Sequence, residues 1–138
     1  MKHLFIPTLL CLAVLSLFSN CKETTMNKIP DNAIVRVSIG YYPPEQEAAV
    51  EEKLETVFKE KIMPAVKKLN GSIYYFVAVD KEKKSITNES LWETREDAMQ
   101  MAEMKEMLEM AKEFIELGVE FSEITNHEMI WQLPENME

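Results

Sequence analysis

The chain opens with an apolar run from Leu4 to Phe18, broken by Pro7, Thr8 and Ser16, and turns abruptly polar from Lys22 to Asp31. Beyond that boundary the apolar positions become periodic. Ala33 to Ile39 is rich in β-branched residues and predicts a strand ended by Gly40. Pro43-Pro44-Glu45 predicts the start of a helix, because proline lacks an amide that would have no partner in the first turn. Val50, Leu54, Val57, Phe58 and Ile62 then recur at helical spacing, Pro64 is expected to kink or segment the helix, and Asn70-Gly71 to stop it. Ser72 to Val79 predicts a strand apolar on both faces, and Ser85 to Glu93 its hairpin partner, with Ile86, Asn88, Ser90 and Trp92 pointing one way. Thr94 is placed to cap a second helix whose stripe is Met101, Met104, Leu108, Ala111 and Ile115, with Gly118 as terminator. After an irregular link, Thr125 to Leu133 predicts a last strand.

Strand, helix, strand, strand, helix, strand is the βαββαβ order of the ferredoxin-like α+β fold, a four-stranded antiparallel sheet with two helices on one face. Two helices leave the other sheet face uncovered. Because Ile73 to Val79 is apolar on that side too, a second copy of the chain is the expected cover, giving a homodimer.

The first segment changes the picture of where this domain works. Lys2 before a short apolar run reads as an export signal, and the run ends in Leu17-Phe18-Ser19-Asn20-Cys21. That ending resembles the lipobox of bacterial lipoproteins, although Phe18 and Asn20 depart from its stricter form. The resemblance implies a signal peptide over residues 1–20, a lipidated tether over 21–31 anchored in a bilayer through acylated Cys21, and a folded domain over 32–138, all in the bacterial cell envelope. Cys11 falls within the signal, so Cys21 is the lone thiol of the processed chain and no internal disulfide is possible. With 24 acidic against 15 basic residues, the formal charge of -9 offers no electrostatic basis for nucleic-acid binding.

Leu91-Trp92-Glu93-Thr94-Arg95-Glu96-Asp97-Ala98, between the third strand and second helix, resembles the same junction in the antibiotic-biosynthesis monooxygenase family of dimeric α+β barrels. The element order extends the resemblance over roughly residues 33–133. It implies two sheets packed face to face, a pocket between sheet and helices in each subunit, and in some members oxidation of aromatic phenols or quinols by oxygen without a cofactor. Those enzymes line the site with an Asn and a Trp four residues apart on the third strand, matched here by Asn88 and Trp92. Residues i and i+4 of a strand share a face, so both could donate to a developing oxyanion. The plainer alternative makes Trp92 core and Asn88 a polar residue near the turn.

His127, on the last strand, is the candidate proton acceptor, with a strand-end histidine held by the backbone as the alternative. Tyr74, Met101 and Met104 are the candidate apolar walls. The haem-degrading relatives use a histidine on the second helix and an asparagine on the first strand. Neither is present, which disfavours haem degradation. Met101, Met104, Met107 and Met110 suggest Cu(I) binding with His127 as a third ligand, but steps of three drift by ~60° each around a helix, which favours packing. No clustered Cys/His metal site and no phosphate loop is present in the sequence. A small monooxygenase, a noncatalytic module for an apolar ligand, and a copper-handling lipoprotein remain as readings.

Overall fold

The computed structural model describes residues 29–133; the signal segment, Cys21, the tether as far as residue 28, and residues 134–138 lie outside this range. The strands are β1 (Ile34–Tyr41), β2 (Ser72–Asp80), β3 (Ser85–Trp92), β4 (Glu120–Phe121) and β5 (Thr125–Glu128). All pairings are antiparallel, in the order β2-β3-β1, with β4 and β5 both on the outer edge of β1. This is the ferredoxin-like α+β arrangement predicted from the sequence. Among the described residues, no helix is long and apolar enough to cross a membrane.

Register fixes which residues meet the helices. Ile34, Arg36 and Ser38 on β1 lie opposite Trp92, Ser90 and Asn88 on β3, and Ser90 lies opposite Tyr75 on β2. Paired residues share a face, so these form the helix-facing side. Val35, Val37, Ile39, Leu91, Tyr74, Phe76 and Ala78 form the other side, which no element among the described residues covers.

Gly40 does not end β1. It pairs with both Ile86 and Phe121, and a side chain there would bring Cβ within 2.8 Å of Val119 and 2.9 Å of the Phe121 ring. Glycine serves close approach at this position rather than termination. The short β4 lies in the stretch expected to be an irregular link, because two residues are too few to show alternation. The last strand stops at Glu128, leaving Ile130, Trp131 and Leu133 exposed rather than continuing its inner face.

The first helical stretch runs from a 3-10 turn at Pro44–Gln46 through α1 (Glu47–Lys53), a π-helical turn (Leu54–Phe58) and α2 (Lys59–Val66). Pro64 sits inside α2, and the irregularity is the π turn instead, where the Lys59 amide donates to the Leu54 carbonyl five residues back. Buried residues recur every four positions, at Val50, Leu54, Phe58, Ile62 and Val66. Each step of four overshoots one face by ~40°, so four steps would turn the stripe by ~160°. The π turn accommodates one extra residue, about 100°, and keeps the stripe on the sheet.

The second stretch is broken. α3 (Arg95–Met99) and a 3-10 turn (Gln100–Ala102) lead to Met104, which takes an extended conformation before α4 (Lys105–Glu116). Thr94 caps α3 as expected, its Oγ1 accepting from the Asp97 amide at 3.1 Å. Because the break resets the helical phase, Met110 and Phe114 fill the core, whereas Leu108 and Ile115 are about half exposed. Gly71 and Gly118 have φ of +64° and +83° and terminate the two stretches as predicted.

Candidate functional site

A cavity of about 310 Å³ lies between the helix-facing side of the sheet and the helices. Its roof comes from the π turn and the broken second helix. Leu54 and Phe58 project from one, and Met101, Ala102, Met107, Leu108, Ala111 and Phe114 from the other. Phe121, Ser122 and Ile124 close the end beside β1, with Phe121 admitted by Gly40.

The floor is polar. Arg36 and Ser38 of β1, Asn88 and Ser90 of β3, and Tyr75 of β2 present side chains to the cavity, beside Ile86. In register, Tyr75, Ser90, Arg36 and Asn126 form one row across four strands. The Tyr75 hydroxyl donates to Asn88 Oδ1 at 3.1 Å, and burial pushes its phenol pKa far upward, so it remains a donor at neutral pH. That bond orients the Asn88 amide and leaves Nδ2 without a protein partner among the described residues. Arg36 is 8% exposed, and its Nη1 donates to Asn126 Oδ1 at 3.4 Å. Burial lowers the pKa of this guanidinium, and no carboxylate among the described residues lies in ion-pair contact with it. Among the described residues it is the only charged one lining the cavity.

The structure brings together part of the predicted site. Asn88 and Met101 line the cavity. Trp92 shares the face of Asn88 but is fully buried core, and its indole N–H donates to Ser90 Oγ at 2.8 Å, so that donor is already used. Met104 is buried in the core outside the cavity lining.

Tyr74 is 60% exposed on the opposite side of the sheet, because a β-bulge between Ser72 and Tyr74 inserts one residue and turns Tyr75 inward in its place. His127 is also on that opposite side, in register with Val35, its Nε2 2.8 Å from Thr125 Oγ1. It therefore neither reaches the cavity as a proton acceptor nor meets the methionines as a copper ligand. Among the described residues no group of three or more His, Cys, Asp or Glu side chains is placed to hold a metal.

Sequence reasoning missed Arg36. The available signal was alternation within β1, where Val35, Val37 and Ile39 are apolar while Arg36 and Ser38 sit on the same side as Ile34. Tyr75 was hidden by the bulge.

No protein-family model matches the chain, and no curated protein matches it in sequence. Solved structures do match in shape. A candidate antibiotic biosynthesis monooxygenase from Deinococcus radiodurans superposes with a TM-score of 0.58 at 15% identity, covering 76% of this chain and 99% of its own. SnoaB, a cofactor-independent oxygenase from Streptomyces nogalater, superposes with a TM-score of 0.53 at 13% identity over 75% of this chain and 99% of its own. A conserved protein from Methanosarcina mazei gives 0.55 at 21% identity, over 72% and 94%. The chain thus has the fold of these three proteins over nearly their whole length.

Proposed function

We propose that this protein binds a small aromatic or quinol-like compound in the cavity between sheet and helices and oxidises it with molecular oxygen, without a cofactor. The observation that carries the reading is the cavity itself, with an apolar roof over a floor where Asn88 Nδ2 has no protein partner among the described residues. An aromatic ring would be held by Phe58, Met101 and Phe114, and its ring oxygen would accept from Asn88. Such a donor stabilises the negative charge that develops when a phenol is deprotonated. The substrate itself supplies all four electrons: a ring C–H carbon becomes a carbonyl carbon, the phenol leaves as a quinone, and the second oxygen atom leaves as water with the ring and phenolic hydrogens. The fold shared with a cofactor-independent oxygenase supports this reading.

Among the described residues no carboxylate or histidine lines the cavity, and the Tyr75 phenol stays protonated. The substrate proton would therefore pass to water, which suits substrates that ionise readily. The same observation favours a second reading, a noncatalytic binder of such compounds. In either case we place the domain in the bacterial cell envelope, tethered by acylated Cys21.

Oxygen uptake and calorimetric binding across a panel of phenols and quinols test both. Uptake that Asn88→Ala suppresses supports the oxygenase, and binding without uptake supports the binder. Absence of binding throughout the panel would overturn both.

A further inference from the structure

We propose that the cavity is selective for anions: its ligand carries an oxyanion, the carboxylate of an aromatic acid or an ionised phenol, paired with Arg36. This rests on the reading of the cavity as a small-molecule site and names the chemical class the site accepts.

A guanidinium carries five N–H donors and always bears its charge. Here one neutral acceptor, Asn126 Oδ1 at 3.4 Å, meets that whole donor set among the side chains described. Burying a charge without a counter-charge is costly, which is why buried arginines are normally paired. Arg36 is nine-tenths buried and, among the described residues, has no carboxylate partner, on the floor of a cavity whose other described lining residues are neutral. A structural role predicts a carboxylate alongside, and the chain has acidic residues in excess, yet none among the described residues is placed there. The missing partner is supplied if the ligand brings it.

The surrounding groups fit that ligand. Ser90 lies beside Arg36 in the row across the sheet, and Ser38 and Asn88 lie in the next row, so neutral donors flank the cation on one side of a single floor. The apolar roof then covers the body of the ligand. A charge-assisted pair in such a site is stronger than a neutral hydrogen bond. With a net charge of -9, the molecule as a whole repels anions, so any preference for them must arise locally at Arg36.

Calorimetry on the purified full chain with 2-naphthoate and its neutral counterpart 2-naphthamide tests the proposal. The acid is expected to bind about 30-fold or more tightly than the amide. Arg36→Met should reduce acid binding to the level of the amide and leave the melting temperature unchanged or raised, because an apolar side chain of similar length replaces an unpaired buried charge. Arg36→Lys should restore part of the preference. Equal binding of acid and amide by the unaltered chain would overturn the anion proposal and leave the cavity reading intact. That ratio decides the question even if Arg36→Met does not fold. Binding of neither compound would overturn both.

Discussion

Asn88 and Trp92 stand four residues apart on one strand face, and their spacing alone gives them equal claim to a role in chemistry. Burial separates them. The Trp92 indole is fully enclosed and donates to Ser90, so Trp92→Ala should destabilise the domain by ~3 kcal/mol or more, read as a lowered denaturant midpoint. Asn88 is only half-buried, and its amide nitrogen has no protein partner among the described residues, so Asn88→Ala should lower the midpoint less, by about 1 kcal/mol for the acceptor lost to Tyr75. If the oxygenase reading is right, it should also slow oxygen uptake on the order of 100-fold. Asn88 was legible because its strand pattern is regular. Tyr74 and Tyr75 were not distinguishable, because one inserted residue inverts every side chain beyond it and leaves no mark on composition.

At the scale of elements, the four-residue recurrence of buried residues from Val50 to Val66 goes with the π turn, whereas the apolar spacing in the sequence is equally consistent with an ordinary helix. Pro64 drew attention to the wrong place. The break at Met104 carries neither Gly nor Pro, so nothing local announces it, and it altered which residues of the second stretch face inward. Gly40 was recognised as special, but its reason lies in a strand eighty residues on. Gly40→Ala should cost about 1–3 kcal/mol by driving Cβ against Val119 and Phe121, which a thermal melt would show. The two helical stretches that roof the cavity are joined by Lys53, whose Nζ lies 2.7 Å from Glu113 Oε2. The hydrogen bond from Lys53 holds the Glu113 carboxyl below its ordinary value of 4.5. The contact therefore contributes fully above pH 4.5 and is lost as pH falls through the lower folded value. Because the pair is partly exposed, Lys53→Met should remove only a small part of the fall in melting temperature below pH 4.5, measured against the unaltered chain.

On the scale of the whole molecule, element order was the most legible feature, because helix and strand periods differ and both are strong in this chain. No element among the described residues covers the open sheet face. That face carries Val35, Val37, Ile39 and Phe76, with Tyr74 60% and Tyr41 50% exposed near it. We expect a second copy to cover it in a two-fold dimer, which light scattering at micromolar concentration should detect and which a monomer would refute. Intact mass of protein extracted from membranes should likewise show a chain beginning at Cys21 with lipid attached, and an unmodified Cys21 would refute the anchor. The cavity depends on neither result. It is tested most directly by a crystal structure of the full chain with 2-naphthol bound. The account predicts the ring beneath Phe58, Met101 and Phe114 with its oxygen ~3 Å from Asn88 Nδ2. A ligand seated instead on the open sheet face beside His127, with the cavity empty, would contradict it.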